Sequence, residues 1–267
     1  MILGTGSSCI VFKRGNTAVK CYSNNITPNA LVRELFFLQL LSHRNIVEIK
    51  SSYMYRGSVN IKMEYFGTSL FYLSDDTLSD KKLRLPFIMR DIMSALSYIH
   101  SLGILHRDVA PTNILVYENQ AKLCDFGNSA ICSYYTESMI NVNFEDPEPI
   151  KTSDTDYYCL SRSILFYMGQ YSPNQCLSGN WLELFQMCAE KRILVEKRVD
   201  IDVIRGQVNR YIYHRSGCTA ETCDEIVDVI FGSENLLTDK HLNIVKRLHF
   251  RLVPDNISDI IYQHVNI

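Results

Sequence analysis

The residues of this chain best suited to chemistry lie in two short runs near its middle. His106-Arg107-Asp108 is followed by Asn113, and Asp125-Phe126-Gly127 begins seventeen residues after Asp108. A carboxylate at Asp108 suits the task of orienting an incoming hydroxyl and accepting its proton. The oxygens of Asn113 and Asp125 suit a hard cation such as Mg²⁺ held against phosphates. Near the start, Leu3-Gly4-Thr5-Gly6-Ser7-Ser8-Cys9-Ile10-Val11 spaces two glycines by one residue. Such a turn lets backbone N–H groups approach phosphate oxygens with no Cβ in the way, although alone it is equally an ordinary hairpin turn. Thr17-Ala18-Val19-Lys20 ends a strand-like run, and Glu34 follows fourteen residues later. Each charge alone reads as a solvated surface group. Behind a glycine loop they read as an ion pair that aims an ammonium at phosphates, because a lone buried ammonium would tend to deprotonate.

Those residues need a scaffold, and the pattern of the chain provides one. Residues 1–66 read as six short β segments around one helix, Ile2–Leu3, Ile10–Lys13, Thr17–Tyr22, Ile46–Ile49, Ser52–Tyr55 and Val59–Tyr65, which together suggest a five-stranded sheet. Arg14-Gly15-Asn16 and Arg56-Gly57-Ser58 are turn signals. Thr27 reads as an N-cap with Pro28 at the first helical position. Leu31, Leu35, Leu38 and Leu41 then recur at the spacing of an amphipathic helix. After Phe66-Gly67 the chain turns helical. Leu85–Ser101 carries Ile88, Ile92, Leu96 and Ile99 on one face and stops near Gly103. Leu105–Val116 and Ala121–Gly127 are short strands or loops, and residues 157–168, 182–196, 199–213, 221–231 and 238–250 read as helices. The expectation is an α+β chain of two lobes, 1–66 and 67–267, forming one catalytic domain with a cleft between them.

Bulk properties narrow the classes. The 267 residues carry a formal net charge of −2, which gives no general attraction to nucleic acid or anionic membrane. No run of about 18 apolar residues occurs, and the start lacks the pattern of a signal peptide. The nine cysteines are scattered without a CxxC pair, which suggests unpaired thiols in a reducing, intracellular setting, cytoplasmic or nuclear. His214, Cys218 and Cys223 form a weak metal-site candidate.

In order and spacing, the glycine loop, TAVK, the helix glutamate, HRDxxxxN and DFG resemble the eukaryotic-type protein kinase family. The resemblance runs from Leu3 to about Met168. It implies ATP and Mg²⁺ as cofactors, a protein substrate, and transfer of the γ-phosphoryl group to a hydroxyl. Gly4 and Gly6 would cover the phosphates, and Lys20, positioned by Glu34, would bind them. Asp108 would be the catalytic base, and Asn113 and Asp125 the metal ligands. Leu3, Val11, Ala18 and Leu115 match the residues that enclose adenine, Met63 the gatekeeper, and Glu64-Tyr65-Phe66 the hinge. Leu38 and Phe126 match parts of the apolar spine joining the lobes.

The sequence also departs from the family pattern. Cys9 replaces the third glycine and reads either as an inert small residue or as a thiol whose pKa nearby cations would lower. Ala110 and Thr112 stand where family members place a lysine or arginine facing the γ-phosphate, which implies turnover at or below the low end of roughly 1–100 s⁻¹. The D-V-A-P-T-N loop is similar to those of herpesvirus-encoded protein kinases and leans toward serine/threonine substrates. Asp146-Pro147-Glu148 takes the place of A-P-E, with Arg251 as a partner for Glu148, and Asp156 matches the aspartate that braces the catalytic loop. Ser133-Tyr134-Tyr135-Thr136 supplies phosphate acceptors near Arg107. The chain starts close to its first strand, which suggests a frayed strand or a preceding extension. The alternatives are a catalytically weak pseudokinase acting as a scaffold, and a small-molecule kinase, which usually lacks this glycine loop and DFG.

Overall fold

A computed structural model describes residues 1–131, 153–169 and 201–244, apart from 7–8, 24–26, 56, 234, 239 and 242–243. In the first 64 residues, β1 (Ile2–Thr5), β2 (Cys9–Arg14), β3 (Thr17–Tyr22), β4 (Ile49–Tyr55) and β5 (Ser58–Glu64) form one antiparallel sheet in the order β1-β2-β3-β5-β4. Gly15 (φ +59°) makes the tight β2–β3 turn and leaves Arg14 opposite Thr17. β1 is formed, with a register shift between Ile2 and Gly4.

Ile46–Ile49 is not the separate strand expected from its apolar run. Ile46 bridges Leu123 in parallel, the Val47 N–H donates to the Leu123 carbonyl, and the Leu123 N–H donates to the Asn45 carbonyl. Ile46 and Val47 are buried at this seam with the larger lobe, so their hydrophobicity serves packing between lobes.

Helix α1 (Pro28–Leu40) crosses the sheet with Pro28 in its first turn, but the Thr27 side chain makes no capping bond. It is also not amphipathic in the expected sense. Ten of its 13 residues are buried, including Val32, Phe36 and Phe37 outside the leucine stripe, so other parts of the chain cover both flanks.

Helix α2 spans Leu78–Ser101 and starts well before the expected Leu85. Thr77 caps it, accepting from the Asp80 N–H, and Pro86 is accommodated inside. A proline there costs roughly 3 kcal/mol, offset by the fully buried Ile92, Ala95, Leu96 and Ile99. Short strands follow: β6 (Thr68–Ser69) pairs with β8 (Ile114–Tyr117), which pairs with β9 (Gln120–Leu123), and β7 (Ile104–Leu105) pairs with β10 (Ala130–Ile131). Helices α3 (Ser153–Tyr167), α4 (Ile201–Ser216) and α5 (Ala220–Ile230) complete the described residues. They match three of the expected helices, while 182–196 and most of 238–250 lie outside those residues. No helix among the described residues is long and apolar enough to cross a membrane.

The lobes meet at Gly67. Its φ is +50°, and a Cβ there would run into the Val116 carbonyl. Gly67→Ala is therefore expected to destabilise the chain by at least about 1–3 kcal/mol, read as a fall of several degrees in thermal midpoint.

Candidate functional site

Strand register decides what faces the cleft. Val11 lies opposite Lys20, and Ala18 opposite Met63. Residues two apart on a strand share a face, so Val11, Ala18, Lys20 and Met63 sit on one side of the sheet, with Tyr22 beside them. Leu3 and Leu115 are half-buried on β1 and β8. Phe66 follows β5, and its N–H takes no protein partner among the described residues, whereas the neighbouring Tyr65 N–H donates to the Asn16 carbonyl. The Glu64 carboxylate turns aside to the Glu48 N–H, 2.9 Å away, and to Lys122. In the glycine loop, the Gly6 N–H already donates to the Cys9 carbonyl at 2.9 Å.

Lys20 is buried and its Nζ lies 2.8 Å from Glu34 Oε2, 2.9 Å from Glu34 Oε1 and 3.0 Å from Asp125 Oδ1. Burial disfavours the ammonium, but Asp125 and Glu34 together outweigh it and raise the Lys20 pKa. Burial also works against the Asp125 charge, yet Lys20 holds that carboxyl below its ordinary range. Asp125 has a left-handed backbone (φ +65°), a strained conformation found where the surrounding structure fixes it. It leaves the side chain 38% exposed toward the cleft.

Asp108, in the same lobe as Asp125, lies close enough to this cluster to feel the charges of Asp125 and Lys20. Its Oδ2 accepts from Asn113 Nδ2 at 3.0 Å and from Asn128 Nδ2 at 3.2 Å. Its Oδ1 is buried and has no hydrogen-bond partner among the described residues. Burial and the Asp125 charge push the Asp108 pKa up to about 7, against the two amides. Asn113 Nδ2 also donates to the Asp108 carbonyl at 3.0 Å. Its Oδ1 is left without a protein partner among the described residues.

The loop carrying Asp108 is held from beneath. Buried Asp156, near the start of α3, accepts from the His106 and Arg107 N–H groups at 2.8 and 2.7 Å and lies 2.8 Å from His100 Nε2. Burial opposes its charge, but the His100 hydrogen bond and the nearby histidines hold its pKa down. Arg107 has φ +68° at this bend. The His106 and Phe126 rings meet edge to face at 4.8 Å, and Phe126 and Leu38 belong to one buried core.

The protein kinase domain family matches residues 1–173. The chain belongs to that family. Among relatives of this kinase chain, a probable serine/threonine-protein kinase of Encephalitozoon cuniculi is 30% identical over 226 residues, covering 80% of this chain and 43% of that protein. The mitogen-activated protein kinase hog1 of Botryotinia fuckeliana is 30% identical over 156 residues, 58% of this chain and 39% of its own length. The corresponding kinase of Cryphonectria parasitica is 31% identical over 142 residues, 52% of this chain and 36% of its own. The chain thus spans less than half the length of these curated relatives.

One expectation for the kinase chain is corrected. Cys218 and Cys223 form a disulfide, their Cα atoms 6.5 Å apart across the start of α5, so they are neither free thiols nor ligands alongside His214. Of the two readings of Cys9, the inert residue is favoured, because burial raises its pKa and outweighs the pull of Lys20. The expected acceptors at 133–136, the Asp146-Pro147-Glu148 triplet and Arg251 lie outside the described residues.

Two residues were missed. The Tyr22 hydroxyl donates to Glu34 Oε2, and the available signal was its place two residues beyond Lys20 on the same strand face. Asn128, directly after DFG, carries no sequence signal until Asp108 is seen beside it.

Proposed function

We propose that this chain is an active protein kinase that transfers the γ-phosphoryl group of ATP to serine or threonine hydroxyls of protein substrates, inside the cell. The observation that carries the reading is Asp108 Oδ1, a buried carboxylate oxygen without a partner among the described residues, close to the Lys20–Glu34–Asp125 cluster. An unsatisfied buried acceptor is costly, and a substrate hydroxyl donating to it would satisfy it. Among the described residues no cluster of three or more histidine, cysteine or acidic side chains is arranged to hold a metal. The half-exposed Asp125 carboxylate and the Asn113 Oδ1 fit instead a cation that takes one or two protein ligands and completes its shell with phosphate and water.

In this mechanism Lys20, fixed by Glu34, binds phosphate oxygens. Val11, Ala18, Met63, Leu3 and Leu115 enclose the base, and the backbones of Glu64 and Phe66 offer it a carbonyl and an N–H. The Asn113 and Asp125 oxygens would hold Mg²⁺, which when bound supplies neutralising charge to the phosphates. Asp108 orients the hydroxyl and accepts its proton at Oδ1. Asn113 and Asn128 keep the carboxylate turned by holding Oδ2. Ala110 brings no cation to this site, so slow turnover remains the expectation. The serine/threonine assignment is supported by the names of the relatives and by the proline-containing catalytic loop.

Incubation with Mg-ATP and a panel of serine, threonine and tyrosine peptides tests the proposal. Phosphoserine or phosphothreonine is expected. Transfer to tyrosine alone would overturn the specificity, and nucleotide binding without transfer would make the chain a scaffold.

The pH profile carries a further expectation. Asp108 must be ionised to accept a proton, and its pKa is raised to about 7. The ratio kcat/KM should therefore fall about tenfold per unit as pH drops below 7 and level off above it. Asn128→Ala removes a donor that favours the charged carboxylate, so its acid limb should move to higher pH. An unmoved limb would remove Asn128 from this role.

A further inference from the structure

The most informative unassigned contacts lie on the flank of α1 away from the cleft. Asn29 and Arg33, four residues apart on one edge of the helix, are both buried. Glu34 lies about 100° round the same helix. Arg33 Nε donates to the Val229 carbonyl at 2.9 Å and Nη2 to the Ser233 carbonyl at 2.8 Å. Asn29 Nδ2 donates to the Asn235 carbonyl at 3.0 Å, and its Oδ1 accepts from the Leu237 N–H at 3.1 Å. These bonds join positions some 200 residues apart in sequence.

The acceptors belong to the end of α5, which closes in a form suited to a cation. Gly232 is left-handed (φ +96°). Its N–H returns to the Val229 carbonyl and the Ser233 N–H to the Asp228 carbonyl, the paired bonds of a Schellman cap. A helix C-terminus carries partial negative charge, and the Arg33 guanidinium sits against it. Helix α5 packs on α1 and on β10, with Ile226, Val229 and Ile230 buried. Strand β10 follows Asp125-Phe126-Gly127 and pairs with β7, directly before His106. One segment thus holds the helix bearing Glu34 and is anchored on the strands flanking Asp108 and Asp125.

We infer that residues 220–233 with 235–237 act as an intramolecular clamp that keeps α1 turned so that Glu34 meets Lys20, with Asn29 and Arg33 as its positioning residues. The inference rests on the reading of Lys20–Glu34 as part of the phosphoryl-transfer site. Because the partners at 229–237 are backbone atoms, the specificity of the clamp resides in the two α1 side chains.

The test is a double-mutant cycle in the full chain, combining Arg33→Ala with Glu34→Gln. It follows Mg-ATP phosphorylation of a generic basic protein and hydrogen exchange in residues 28–40. Arg33→Ala should lower kcat/KM for ATP tenfold or more and speed exchange in α1 while α4 stays protected. In the Glu34→Gln background the same substitution should cost less than twofold, because its route through Glu34 is already cut. Arg33→Lys, which keeps the charge but not the fork of donors, should fall between. Full multiplication of the two losses, or unchanged transfer and exchange in Arg33→Ala, would overturn the clamp. If Arg33→Ala fails to fold, Asn29→Ala and Arg33→Lys carry the same cycle with the same outcomes. If Glu34→Gln alone leaves transfer intact, the phosphoryl-site reading fails, and the exchange measurement still decides whether the clamp holds α1.

Discussion

Asp108→Asn is expected to slow phosphoryl transfer by about 10²–10⁴-fold while ATP binding stays close to that of the parent chain. Asparagine fits the same space and can still meet the amides of Asn113 and Asn128, but it cannot accept a proton. Stability separates lost chemistry from a damaged fold. The Asp108 pKa is raised in the folded chain, so its ionised form is disfavoured by folding, and stability is lost as pH rises through about 7. A neutral amide removes that cost. Above pH 7 the variant should melt no lower than its parent, and a large fall in melting temperature would point to misfolding.

Lys20→Met should be worse in two ways. It removes the cation aimed at the phosphates, an effect worth roughly 10²–10³-fold in rate. It also leaves Glu34, 2% exposed, without its counter-charge. Breaking a buried pair from one side costs about 3–5 kcal/mol, or roughly 10 °C in a chain of this size. Burial already pushes the Glu34 carboxyl up, and without Lys20 it rises further. A folded-state pKa above the unfolded value favours the fold at low pH, so the stability deficit should shrink as pH is lowered. Lys20→Met with Glu34→Gln should regain most of the lost melting temperature and none of the activity. Equal instability of the single and double variants would show that the two charges are not coupled.

The sequence was most legible where function needs several residue types at fixed intervals. Lys20, Glu34, Asp108, Asn113 and Asp125 come from four different elements, yet their order and spacing resemble a kinase site, and the structure brings Lys20 onto Glu34 and Asp125 and Asn113 onto Asp108. Legibility faded where tertiary packing overrides a local signal. The apolar spacing reads as a helix from Leu85, whereas α2 begins at Leu78 and runs through Pro86, held by burial of Ile92 and Leu96. Ile46 and Val47 read as strand because both are apolar, whereas they seal one lobe to the other. The leucines of α1 announced one buried face. Val32, Phe36 and Phe37 spoke for a second, but only the distant α5 gives those residues a meaning. Tyr22 and Asn128 were invisible for a related reason, since a single hydroxyl or amide has no periodicity.

The seam between Asn45–Val47 and Leu123 has a mechanical consequence. Together with the crossing at Gly67 and the bonds of Arg33 and Asn29 to the end of α5, it ties the sheet to the helical part at several points far apart in sequence. The β1–β2 hairpin, by contrast, is hydrogen-bonded to the rest of the sheet along β2 only, so among the described strands it can lift at the smallest cost in broken bonds.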